Sequence, residues 1–69
     1  MDNKFKDIFK SLRMEKGIGQ TVVAKELGVS KGLISLWENG LREPGMSSLI
    51  AISKYFGVSI DYLVGLKEY

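Results

Sequence analysis

Residues 20–40 read QTVVAKELGVSKGLISLWENG. Two apolar sets recur there at helical spacing: Val23, Ala24 and Leu27, then Leu33, Ile34 and Trp37. Each set predicts a short helix with one buried face. The first helix should begin near Gly19-Gln20 and stop at Gly28. The second should be capped by Ser30 and stopped by Gly40. Only Gly28, Val29 and Ser30 are left for the turn between them. Gly28 supplies the positive φ that a sharp exit requires, and Ala24 is small enough for the two helices to cross closely. Such geometry holds two helices at a steep angle and lets the second protrude, as a helix-turn-helix.

The flanking segments are helical too. Phe5, Ile8, Phe9 and Leu12 fall at i, i+3, i+4 and i+7, with Lys4, Lys6, Lys10 and Arg13 as a basic flank and Gly17 just past the end. GLREPG is a loop holding the lone proline, Pro44. A fourth helix is expected from about Met46 to Phe56, burying Leu49, Ala51, Ile52 and Phe56 before Gly57 stops it. Ser59 should cap a last helix over IDYLV, with Asp61 in its positive first turn and Gly65 after it. No period-2 alternation is long enough for a strand, and the connections are a few residues each. The expected fold is all-α, one compact five-helix domain over residues 1–69.

Composition narrows the function. The chain has 69 residues, no cysteine and no histidine, so a disulfide is impossible and a structural metal is not expected. The 45% hydrophobic content must supply the core, with dimerisation as a possible aid. No apolar run nears the ~20 residues of a membrane span, and MDNKFKDIFK lacks a signal-peptide core. A soluble, cytoplasmic protein is expected. Net charge is +2 and unevenly spread. Residues 4–42 carry eight Lys or Arg against four Asp or Glu, a balance of +4; residues 43–69 carry two against three, a balance of −1. That asymmetry fits an anionic partner on one side and equally fits an ordinary solvated surface.

LRMEKGIGQ, VVAKELGVSKGLISLWENG, Pro44 and FGVSIDYLVG occur in this order at near-standard spacing. Through these elements the chain resembles the lambda-repressor-like, Cro and Xre type, helix-turn-helix regulators of phage and bacteria. The resemblance implies a sequence-specific double-stranded DNA-binding regulator, expected as a repressor, with its third helix in the major groove of a palindromic operator. It places Lys31, Gly32, Ser35 and Leu36 at base-facing positions, with Leu41 just beyond. It gives Gln20, Thr21, Asn39, Arg42 and Lys10 to phosphates, contacts that fix register without reading sequence. It makes Arg13 and Glu38 a largely buried ion pair joining the first helix to the third. It implies a homodimer through a surface near the last helices, here Pro44, Val58, Ile60 and Tyr62, part of which the core also needs. In dimers of this kind the two half-sites lie about 34–36 Å apart.

Plainer readings stand beside these. Trp37, three residues after Ile34, reads as core rather than a base-stacking platform, and its indole N–H then needs a partner or a wet edge. An exposed lysine at a helix N-terminus is often only solvated, although Lys31 opposes the dipole there, and a guanine edge or phosphate would offset that penalty. Gly32 permits close approach of the backbone, and Leu36 with Leu41 can pack on thymine methyls. The same apolar positions suit the alternative reading, a protein-interaction module such as an antirepressor or antitoxin. G-I-G at 17–19 has no preceding strand and no third glycine, so it is not a nucleotide loop. No catalytic constellation is visible, and no cofactor, small-molecule substrate or inducer pocket is expected. The ending LVGLKEY fits either a complete regulator or the head of a longer one.

Overall fold

A computed structural model describes residues 4–68. Five helices follow in order: α1 Phe5–Glu15, α2 Gln20–Leu27, α3 Lys31–Glu38, α4 Met46–Phe56 and α5 Ile60–Leu63. There is no strand among the described residues. α2 packs on α3, α1 lies against α3 and α5, and α4 closes the other side against α2 and α5.

The apolar stripes become a core of Phe5, Phe9, Val23, Ala24, Ile34, Trp37, Ile52 and Leu63. Phe9 is its hub. It stacks on Phe5 at 5.4 Å between ring centroids and meets Trp37 and Phe56 edge-on at 5.8 and 5.9 Å. These are the offset and perpendicular geometries that aromatic quadrupoles favour.

α3 and α5 start alike. Ser30 Oγ accepts the Leu33 N–H at 3.1 Å, and Ser59 Oγ accepts the Tyr62 N–H at 3.0 Å. Each serine satisfies one of the four orphan donors of a helix start. Between α2 and α3, Gly28 stands at φ +72°, and the Val29 N–H returns to the Ala24 carbonyl at 2.9 Å. A Cβ at Gly28 would touch nothing within 4 Å, so the left-handed conformation, and not lack of space, requires glycine there. Gly40, which ends α3 at φ +71°, is required by the same left-handed conformation; the close atoms to a Cβ there, on the flexible Lys6 side chain, could move aside.

Two expectations need correction. Of the residues assigned to the buried face of α4, only Ile52 is fully buried; Leu49, Ala51 and Phe56 are half-buried. α4 rests on α2 and α5, with Phe56 against Phe9 of α1, and a chain this small buries a modest fraction of its surface. The indole of Trp37, only 1% exposed, finds neither a partner nor a wet edge. Its Nε1 is buried with no hydrogen-bond partner among the described residues. The ring stands nearly perpendicular to Phe5 and Phe9, so apolar packing took precedence over a desolvation cost of about 1–3 kcal/mol.

Candidate nucleic-acid interface

The outward side of α3 is assembled from its two ends. At its start the Ser30 cap leaves Lys31 and Gly32 exposed. A Cβ at Gly32 would meet only the Ser30 Oγ at 3.9 Å, an ordinary contact, and its φ is not positive. Nothing in the fold therefore demands glycine at this position. One turn later Ser35 is half-buried and Leu36 is 36% exposed.

At its close, the Gly40 N–H bonds the Trp37 carbonyl at 3.2 Å and the Leu41 N–H bonds the Leu36 carbonyl at 3.0 Å. This is the Schellman arrangement, which commonly sets the residue beyond the glycine beside the one that starts the turn. Leu36 and Leu41 thus belong to one turn of backbone, and Leu41 is 73% exposed. Lys10, Thr21 and Arg42 are also exposed, as is Asn39. The Asn39 amide nitrogen is turned onto its own helix, donating to the Ser35 carbonyl at 2.9 Å and to Ser35 Oγ at 3.3 Å. A phosphate offers only acceptors, so meeting one would require that amide to give up its longer bond to Ser35 Oγ, while the bond to the Ser35 carbonyl can stay.

Behind this surface lies a buried charge network. Arg13 Nε donates to Glu38 Oε2 at 2.7 Å and Arg13 Nη2 to Glu38 Oε1 at 2.9 Å. Their side chains are 13% and 4% exposed. A paired fork of this kind is the strong form of a charged hydrogen bond. Its hydrogen bonds to Glu38 hold the Arg13 guanidinium above its ordinary range; burial opposes this and the Glu38 charge adds to it. Arg13 Nη1 also donates to the Ile18 carbonyl at 3.0 Å, and Gln20 Nε2 donates to Glu38 Oε1 at 3.2 Å. Glu38 on α3 therefore holds the end of α1 through Arg13 and the first residue of α2 through Gln20, while Arg13 itself holds the following loop at Ile18. The bonds that Ile18 and Gln20 make to this pair had no sequence signal, because their partners are brought close only by folding.

The remaining residues singled out by sequence lie elsewhere. Pro44, Val58, Ile60 and Tyr62 are all half-buried, and Val58 packs on the core cluster. Among the described residues no group of three His, Cys, Asp or Glu is placed to hold a metal ion. No helix there is long and apolar enough to cross a membrane.

A helix-turn-helix family model matches residues 9–63, and the chain belongs to this family of Cro and Xre type. The chain is 42% identical over 65 residues to the HTH-type transcriptional activator BcrR of Enterococcus faecalis, covering 94% of this chain and 32% of that protein. It is 31% identical over 64 residues to the cryptic phage CTXphi transcriptional repressor RstR of Vibrio cholerae, covering 93% and 58%. The P22 c2 repressor, solved in complex with synthetic operator 9T, superposes with a TM-score of 0.86 at 33% identity, covering 91% of this chain and 96% of that one. The curated relatives are named as transcriptional regulators and repressors, not as enzymes. The chain spans 32%, 52% and 58% of the length of three of them.

Proposed function

We propose that this chain is a sequence-specific double-stranded DNA-binding module of a transcriptional regulator, acting where the chromosome is, in the cytoplasm. The observation that carries the reading is the close superposition on the P22 c2 repressor, a protein solved on operator DNA. α3 enters the major groove. Lys31 reads a guanine edge, Leu36 and Leu41 pack on thymine methyls, and Gly32 and Ser35 lie against the base edges. Gln20, Thr21, Arg42, Lys10 and Asn39, once one amide hydrogen is released from Ser35 Oγ, meet phosphates.

The working unit is a homodimer on a palindromic site. The longest extent of this molecule is 27 Å, less than the about 34–36 Å between successive half-sites on one side of B-DNA. One copy therefore meets one half-site, too few contacts for strong specificity. Pro44, Ile60, Tyr62 and the uncovered part of Val58 form the self-association surface.

Random-site selection on duplex DNA tests the reading, and an enriched, roughly palindromic motif is expected. Affinity for that motif should fall steeply with salt as counterions return to the phosphates. The exposed leucines of α3 and its following turn favour a second reading, a protein-interaction module such as an antitoxin or antirepressor. A selection that enriches no duplex supports that one instead.

A further inference from the structure

We infer that Glu38 is a positioning residue for DNA: through its hydrogen bond to Gln20 it aims that side chain's remaining N–H at a backbone phosphate. The inference rests on the DNA-binding reading above. Glu38 is 4% exposed and does not itself reach a ligand. Its carboxylate accepts from Arg13 twice and from Gln20 Nε2 at 3.2 Å.

An ionised carboxylate has only acceptors, so the Gln20 amide must turn its NH2 end, not its carbonyl, toward Glu38. One amide hydrogen is used there. The other has no partner among the described residues and lies on the first residue of α2, the helix whose start faces the backbone in this docking geometry. Without Glu38 the amide would point its carbonyl at that position about as often as its N–H until a phosphate arrives, and turning and ordering it would then cost binding energy. Glu38 removes that ambiguity before DNA arrives. Arg13 makes the arrangement possible electrostatically. Its positive charge offsets that of Glu38, so a phosphate approaching Gln20 meets a neutral pair instead of a bare carboxylate. The ion pair thus also presets a binding contact, a form of preorganisation.

A double-mutant cycle on the full chain tests this, using Gln20→Ala, Glu38→Gln and the double variant on the selected duplex at one salt concentration. In the wild-type background Gln20→Ala should weaken binding roughly tenfold, the scale of one hydrogen bond to a charged group. It should also abolish ethylation interference at one phosphate. In the Glu38→Gln background, where either end of residue 38 can face Gln20, the same substitution should cost less than about threefold, with interference at that phosphate already lost. A merely structural role for Glu38 would not remove interference at one phosphate. Equal factors in both backgrounds overturn the inference, as does a Gln20→Ala variant that binds unchanged.

If melting shows Glu38→Gln to be unfolded, 15N relaxation of the wild-type Gln20 side-chain amide decides. An order parameter above about 0.6 supports the inference, and one at or below that flexible limit overturns it. A wild-type chain that binds no duplex overturns the DNA-binding reading and the inference together. A wild type that binds but shows additive effects overturns the inference alone.

Discussion

The two sides of α3 obey different rules. On its inner side Ile34 and Trp37 are buried in the aromatic core, and Glu38 is satisfied by three hydrogen bonds. Apart from the indole N–H, every polar group there is satisfied within the fold. On its outer side a lysine opposes the helix dipole, a glycine occupies a helical position that has room for a side chain, and a leucine stays partly in water. Each of these costs the isolated domain a little. Residues that break local rules without an internal reason mark where selection acted on something outside the chain. The inner side holds the domain together, and the outer side carries the residues proposed above to meet DNA.

Substitutions on the two sides should therefore separate stability from binding. The largest effect belongs to the inner side. Glu38→Ala strands the Arg13 guanidinium and should cost about 3–5 kcal/mol, read as a sharply lowered midpoint in a circular dichroism melt. An unchanged midpoint would remove the pair from the account of the fold.

On the outer side Lys31→Ala should weaken specific binding by about 1–3 kcal/mol, relaxing preference at one base pair. Its stability should stay within about 0.5 kcal/mol of wild type. Equal loss on every sequence would make Lys31 a phosphate contact and not a reader.

Gly32→Ala sharpens the contrast because its two effects have opposite signs. The fold should gain about 0.5–1 kcal/mol, a rise of several degrees in melting temperature, while DNA affinity falls as a methyl group enters the groove contact. Affinity that rises with stability would place the DNA elsewhere. The smallest effect is expected for Leu36→Ala, roughly threefold in discrimination of thymine from other bases, the scale of one buried methyl contact. Titration of operators carrying uracil at single thymine positions measures it, since uracil lacks only the methyl.

The five helices were legible because periodic apolar residues and their stop signals are local. Phe5, Ile8, Phe9 and Leu12 mark a stripe wherever they occur, and Ser30 and Ser59 cap through bonds three residues long. The extent of burial was less legible. Nothing in MSSLIAISKYF says that α4 will leave Leu49 and Phe56 only half covered. The candidate surface divides in the same way. Lys31, Gly32 and Leu36 could be placed on one side of α3 from helical spacing alone. That the Asn39 amide would turn back onto Ser35, and the Gln20 amide onto a carboxylate 18 residues away, could not be read, because polar side chains choose partners by proximity in the folded state.

The order and ends of the helices, the three-residue turn at Gly28 and the outward positions of α3 were set by amino-acid order alone, since they depend on spacing and backbone preference within a few residues. Which polar groups are spent inside the molecule was settled by packing between helices distant in the chain. The Arg13, Glu38 and Gln20 network exists because packing α1, α2 and α3 together excludes water from one carboxylate. A charge removed from water needs its donors close at hand; the family resemblance named Arg13 as one of them, but the chain's order does not name Gln20.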